Sequence, residues 1–244
     1  MWIRSSITTF FLLYHNVVSA QDIDALLKKV DELYRADTSQ TIVEMQIKTP
    51  NWDRSLKMEI WTKGMDYTFI TILEPKKDQG ISTLKRDAEM WNYFPKINKV
   101  IKIPPSMMMG SWMGSDFTND DLVKENTMKD DFHAKLGAGN DTEYQIILTP
   151  KKETVTVWGK VELWIDKKSS LPIRQDYFDE KGEKIRELVF SEVKELGGKS
   201  IPATLTLLPL KKKGNKTVIR YLSASFNKPL HERIFTRKNL QKRR

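Results

Sequence analysis

The feature that most constrains this chain is a period of two. From Thr41 onward, apolar and polar residues alternate one by one through run after run, and only a β-strand sends alternate side chains to opposite faces. In residues 41–48, Val43, Met45 and Ile47 share one side while Glu44, Gln46 and Lys48 take the other. Leu56, Met58 and Ile60 then alternate with Lys57, Glu59 and Trp61, and the Pro50-Asn51 turn joins the two runs as a hairpin. Comparable runs occupy residues 67–73, 80–85, 88–94 and 99–103, where Pro104-Pro105 stops the pattern. They resume at 144–148, 155–158, 161–166, 173–178, 185–193, 201–208 and 217–226. Residues 129–142 are polar and hold Gly137 and Gly139, so they read as irregular. Steady spacing of this kind predicts a mainly β chain of roughly ten or eleven strands in a single antiparallel sheet, strongly curved or closed. The absence of βαβ alternation argues against a parallel-sheet nucleotide fold.

Two segments break the period. Residues 22–35 change to helical spacing, with Ile23, Leu26, Leu27, Val30, Leu33 and Tyr34 on one face and Lys28, Lys29, Asp31, Glu32 and Arg35 on the other. Asp22 stands where an N-cap would be. The second break, residues 104–117, places Met107, Met108, Met109, Trp112, Met113 and Phe117 on a segment jointed by Gly110 and Gly114. Methionine adapts to irregular apolar partners. The segment therefore reads either as permanent core at the mouth of the sheet or as a lid over an acyl-chain cavity. After it, Thr118 with Asp121 three residues on predicts the cap of a short helix. The same acidic group, Asp116, Asn119, Asp120 and Asp121, offers oxygen ligands for Ca²⁺, but its spacing does not match an EF-hand and capping accounts for it.

The first twenty residues are a separate object. Arg4 precedes a largely apolar run at 7–18 and the small-residue ending Val18-Ser19-Ala20, which predicts a secretory signal cleaved after Ala20 and a mature domain at 21–244. The alternative is an uncleaved anchor. The whole chain has no cysteine, so no disulfide scaffold, thiolate nucleophile or thiolate metal site is available. For an exported chain of this length, that points to a bacterial periplasm rather than a disulfide-rich secreted domain.

The formal charge of +9 is partly local, at Lys211-Lys212-Lys213 and in the Arg237–Arg244 tail. Such a surface favours anionic partners, lipid headgroups or acidic protein faces among them, and export argues against nucleic acid. Catalytic signals are sparse. His133 and His231 both lie in polar settings, and no HExxH, GxSxG, Walker or GxGxxG pattern occurs. No cofactor is called for. Aromatics are denser: Trp61, Trp91 and Trp164 lie on strand-like runs, Trp61 and Trp164 out of phase with their aliphatic neighbours. The second face of the sheet is therefore expected to be apolar in part.

The run Leu163-Trp164-Ile165-Asp166, Leu171-Pro172-Ile173-Arg174-Gln175, Tyr177-Phe178-Asp179, Gly182 and Ile201-Pro202 resembles the LolA-like outer-membrane lipoprotein-sorting superfamily. Met113 to Leu122, Met-Gly-Ser-Asp-Phe-Thr-Asn-Asp-Asp-Leu, resembles the signature of a subgroup described as outer membrane lipoprotein-sorting proteins. The resemblance implies an unclosed, curved antiparallel barrel with helices over its concave apolar side. It also implies a periplasmic, non-enzymatic carrier of lipid or lipoprotein acyl chains that passes cargo between membranes. The subgroup's association with inner-membrane exporters of the resistance-nodulation type makes such a transporter, and the outer membrane, expected partners. On this reading Met107, Met108, Met109, Trp112, Met113 and Phe117 form the lid, Trp61, Trp91 and Trp164 serve as wall residues, and Lys211, Lys212 and Lys213 meet headgroups or a membrane partner. The alternatives are a sensor or adaptor without releasable cargo and, third, a hydrolase lacking a recognisable motif.

Overall fold

The computed structural model describes residues 20–124, 128–154 and 156–242. The expected leader thus lies almost wholly outside the described residues, as do Arg243 and Arg244. Among the described residues no helix is long and apolar enough to cross a membrane.

The alternating runs form one antiparallel sheet. Its strands are β1 (Thr38–Lys48), β2 (Asp53–Lys63), β3 (Tyr67–Glu74), β4 (Ser82–Arg86), β5 (Glu89–Phe94), β6 (Lys99–Lys102), β7 (Phe132–Leu136), β8 (Glu143–Pro150), β9 (Lys160–Asp166), β10 (Pro172–Phe178), β11 (Lys184–Leu196), β12 (Lys199–Pro209) and β13 (Lys216–Phe226). Their spatial order is β6-β5-β4-β3-β2-β1-β13-β12-β11-β10-β9-β8-β7. The ends of the chain's two meanders meet where β1 pairs with β13, Met45 standing opposite Ile219 on one side and Leu56 on the other. β6 and β7 are left as edges that do not pair with each other. Each strand pair adds twist, and open sheets of more than about ten strands curl. The sheet is accordingly curved and unclosed.

Among the described residues the α-helices are α1 (Ala20–Asp31), α2 (Asn119–Lys124), α3 (Met128–Asp131) and α4 (Arg237–Leu240). α1 lays Ile23, Leu27 and Val30 on Ile146, Leu148, Val161, Leu163 and Ile165 of β8 and β9, inside the curve. Full burial of aliphatics of this size is worth about 1.5–3 kcal/mol each. The other half of the concave face carries Val43, Met45, Ile47, Leu56, Met58, Ile70, Ile72 and Met90, covered by Ile103 and Trp112.

The convex face is apolar only in part. Trp61, Phe69, Leu84, Trp91 and Tyr93 lie in the opposite phase and are covered by Phe235 and Leu240 of the C-terminal segment. Thus the expected second apolar face exists, and the chain's C-terminal segment covers it.

Several local expectations need correction. The sheet has 13 strands rather than ten or eleven. Residues 132–136, read as irregular, pair with β8 as an edge strand. Residues 156–158, read as a strand, carry no ladder pairs, and Val155 lies outside the described residues. Asp22 sits in the first turn of α1, not at its cap. Asp31 and Arg35, assigned to the solvent face of the helix, are both buried, Arg35 donating from Nη2 to Thr68 Oγ1 at 2.6 Å. In these two cases a tertiary partner overrides the face that helical spacing would assign.

Candidate functional site

Between α1 and the concave face lies an apolar cavity of about 160 Å³. Its floor is the inward phase of the sheet: Met45, Leu148, Val161, Tyr177, Leu188, Phe190, Leu205, Ile219 and Tyr221. Val30 closes it from α1, and Tyr34 stands beside it, stacked on Tyr221 with ring centroids 4.6 Å apart and donating its hydroxyl to the Pro202 carbonyl at 2.8 Å. Trp112, Phe117 and Leu122 of the segment between β6 and β7 form the roof.

The roof owes its shape to its own polar residues. Met113 and Gly114 adopt left-handed backbone, with φ of 52° and 80°, and so reverse the chain after Trp112. Ser115 Oγ donates to the Trp112 carbonyl at 2.7 Å. Thr217 Oγ1, on a fully buried residue of β13, donates to Asp116 Oδ2 at 2.9 Å. Thr118 and Asp121 form a reciprocal capping box at the start of α2: Thr118 N donates to Asp121 Oδ2 at 2.7 Å and Asp121 N to Thr118 Oγ1 at 3.1 Å. Asn119 Nδ2 donates to the carbonyls of Met107 and Gly110 at 3.1 and 3.2 Å, tying the 3₁₀ turn at Pro105–Met107 to α2. The motif at 113–122 thus encodes one folded flap, and its acidic groups are engaged in capping and docking. Among the described residues no group of three or more His, Cys, Asp or Glu is placed to hold a metal ion.

Besides the Thr217–Asp116 contact, two further contacts fasten this flap to the sheet, one at each end. At one end Trp112 Nε1 donates to Thr83 Oγ1 at 3.2 Å, and that hydroxyl donates to Asn92 Oδ1 at 2.7 Å. At the other, Arg186 of β11 meets Asp121 with two hydrogen bonds of 2.8 Å. The guanidinium lies 4.0 Å from the Tyr177 ring centroid and 4.5 Å from that of Trp158. Burial works against a charge on Arg186, but the facing Asp121 carboxylate and Tyr177 more than offset it, and its pKa is raised. Burial likewise opposes ionisation of Asp121, yet the Arg186 charge and hydrogen bonds, with those from Thr118, hold its carboxyl below the usual value. The largely apolar cavity wall therefore contains a fully formed ion pair, with Asp120, Asp131, Thr154, Thr156 and Gln175 as its other polar lining.

Behind the cavity, Asp31 at the end of α1 accepts hydrogen bonds from the backbone of Lys129 and Met128 in α3. Burial pushes its carboxyl up to about 7, helped by the nearby charges of Asp130 and Glu32.

Of the residues singled out from the sequence, Trp112 and Phe117 line the cavity. Met108 and Met113 pack against the neighbouring core, whereas Met107 and Met109 are exposed on the outer side of the flap. Trp61, Trp91 and Trp164 do not line this cavity. Trp61 and Trp91 belong to the convex cluster under Phe235 and Leu240, because their positions in the alternation point outward. Trp164 also lies out of phase with Leu163 and Ile165, beneath Arg174 at 5.0 Å from its ring. Lys211 to Lys213 sit in the exposed turn after β12, where Lys211 is paired with Asp179 and Glu183. His133 is exposed on edge strand β7, and His231 accepts the Arg233 amide at the start of a 3₁₀ turn. The aromatic and ionic half of the wall, Tyr34, Trp158, Tyr177, Arg186 and Tyr221, was not anticipated. One signal was present: Arg186 shares its strand phase with Leu188 and Phe190, a charge at an inward position.

A family model described as "Uncharacterized protein"-like matches residues 64–242. No curated protein matches the chain. Among solved structures, a DUF1329 family protein from Desulfovibrio piger is similar at 23% identity with a TM-score of 0.80, covering 89% of this chain and 97% of that one. A LolA superfamily protein from Nitrosomonas europaea is similar at 21% identity and TM-score 0.74, covering 91% and 100%. A putative outer membrane lipoprotein-sorting protein domain from Vibrio parahaemolyticus is similar at 19% identity and TM-score 0.72, covering 91% and 97%. At these identities the likeness is one of fold.

Proposed function

The chain belongs to the family whose model spans residues 64–242 and has the fold of the LolA superfamily, and from that premise we propose that it is a periplasmic carrier of lipid or lipoprotein acyl chains. The observation that carries this reading is the apolar cavity on the concave face under a separately folded flap, closed at its outer end by the Asp121–Arg186 pair. An acyl chain gains about 0.8 kcal/mol for each CH₂ withdrawn from water, so crossing an aqueous compartment requires an enclosed apolar site. At about 160 Å³ the closed cavity is smaller than sites that enclose drug-sized ligands, typically 300–1,000 Å³. Cargo therefore enters as the flap lifts, and its chain replaces the packing of Phe117 on Leu188, Leu205 and Leu207. No bond is made or broken in this cycle. The predicted leader supports export to the periplasm, with an inner-membrane exporter of the resistance-nodulation type and the outer membrane as the ends between which cargo moves.

A second reading has its own support. Trp112 is buried and hydrogen-bonded to Thr83, so part of the flap serves as the protein's own core. A sensor or adaptor of this shape would keep its cavity self-filled and work through protein contacts. Native mass spectrometry and lipid extraction of protein purified from the periplasm separate the two. The carrier reading predicts a co-purifying lipid that a fluorescent fatty acid displaces. Protein that carries none and binds no fatty acid belongs to the second reading.

A further inference from the structure

The longest stretch without an acid in this part of the molecule runs along one edge of the sheet. Between Glu89 and Asp116 the sequence contains no Asp or Glu, although 30% of the chain is charged. The stretch holds Lys96, Lys99 and Lys102, on or beside edge strand β6, whose outer side pairs with no other strand. It also holds four of the molecule's exposed large apolar side chains: Ile97 at 59%, Ile101 at 44%, Met107 at 57% and Met109 at 42%. α4 brings two more cations to the same edge, for Arg237 and Lys238 line a shallow cleft with Trp91, Val100 and Lys102. Lys102 and Arg237 approach the Trp91 ring at 5.8 and 5.9 Å. Among the described residues Glu89 is the acid paired with this group, through Lys102.

We infer that the β6 edge, with the flap's outer methionines, is the surface by which this protein docks on an anionic lipid bilayer. Three features select a bilayer over an acidic protein. The exposed apolar groups are single aliphatic side chains rather than a groove or a contiguous patch. They alternate with lysines, which are depleted at protein interfaces but reach lipid headgroups readily while their stems lie on apolar surface. The charge is mainly of one sign, Lys96, Lys99, Lys102, Arg237 and Lys238 against Glu89, and such basic clusters bind the negative surface potential of anionic lipid. Residues 96–109 run directly into the flap, so docking sets the outer side of the cavity roof at headgroup level. This deepens the carrier reading by naming where cargo is exchanged, but docking itself requires no cargo.

Flotation with vesicles tests it. Protein exported and processed from the full chain is mixed with phosphatidylcholine vesicles containing or lacking 30% phosphatidylglycerol, the composition being about that of a moderately anionic surface. Binding is expected only to the anionic vesicles and is expected to weaken with salt. The Lys96→Glu, Lys99→Glu, Lys102→Glu triple variant should bind at least tenfold more weakly. Ile97→Ser with Ile101→Ser, exposed positions whose change leaves the core intact, should weaken binding severalfold at unchanged salt dependence. A Lys211→Glu, Lys212→Glu, Lys213→Glu variant, of equal charge change, should bind as the parent does. Absence of vesicle binding, or equal loss in the two charge-reversed triples, overturns the proposal. Fatty-acid binding measured on the same variants without vesicles reports the carrier reading separately. Loss of docking with retained fatty-acid binding is the pattern expected, whereas docking without fatty-acid binding removes the carrier reading and leaves this one standing.

Discussion

Arg186 of β11 grips Asp121 of α2 through both Nη atoms at 2.8 Å, across 65 residues of chain, and both residues line the cavity. The pair joins the flap to the far half of the sheet. Its guanidinium lies against Tyr177 and Trp158, whose rings also meet each other at 5.0 Å, and the residue is buried, so the charge has little water to replace Asp121 with.

Removing one partner should therefore cost more than removing both. Asp121→Asn leaves a buried unpaired charge, a change that typically costs about 3–5 kcal/mol. Arg186→Met combined with Asp121→Leu should recover much of that in urea unfolding. In Asp121→Asn, amide exchange should accelerate across the flap at 104–124 while β1 and β13 stay protected. Uniform acceleration over the whole sheet would show that the pair is part of the global core and no latch.

Trp112 is the flap's other fastening. Trp112→Phe keeps most of the packing but loses the hydrogen bond to Thr83, and should cost on the order of 1 kcal/mol. Trp112→Ala should cost about 3–5 kcal/mol, as other large aromatic truncations in cores do. If the carrier reading holds, the Phe variant takes up fluorescent fatty acid faster than the parent at equal capacity.

Asp31 makes stability depend on pH in a direction opposite to that of most surface carboxylates. Burial raises its folded pKa from 3.8 to about 7, so the folded state binds the proton more tightly than the unfolded state does. Its favourable contribution is complete below about pH 4 and fades as pH rises to about 7, leaving a penalty of a few kcal/mol above that. Asp31→Asn should raise the melting temperature at pH 8 relative to the parent and do little at pH 4. A parent whose stability difference from the Asn variant is the same at both values would contradict this assignment.

The convex cluster should behave as structure and not as site. Phe235→Ala removes the cover from Trp61, Trp91 and Phe69 and should destabilise by about 3–5 kcal/mol. Trp61→Leu should lower the melting temperature as well. Neither should alter the affinity of the remaining folded protein for fatty acid, since both lie outside the cavity. A selective loss of affinity in Trp61→Leu would return that tryptophan to the binding wall.

Most of the architecture could be read from the chain. Alternation at Val43, Met45 and Ile47, and again at Leu163 and Ile165, names both the strands and their inward faces, because a strand has only two faces to choose between. The amphipathic helix, read at 22–35 and found at Ala20–Asp31 with residues 32–35 in turns, and the cap at Thr118 are equally local, each depending on residues within one or two turns. The cavity wall was less legible. Trp61, Trp91 and Trp164 are the conspicuous residues of their runs, but phase places them outward. Tyr34, Tyr177, Arg186 and Tyr221 come from four separate elements and meet only because the sheet curls.

The sequence by itself determined a single antiparallel sheet, curved or closed, one amphipathic helix and an apolar glycine-jointed segment between its halves, since periodicity, turns and caps are short-range and each residue carries its own evidence. Only the tertiary structure decided that Met107 and Met109 face outward while Trp112 and Phe117 face in, and that Asp121 is spoken for by an arginine 65 positions away. It also decided that the C-terminal segment, not the N-terminal helix, covers the tryptophans of the convex face. Those outcomes depend on sheet curvature, which accumulates over 13 strands and is written in no single one of them.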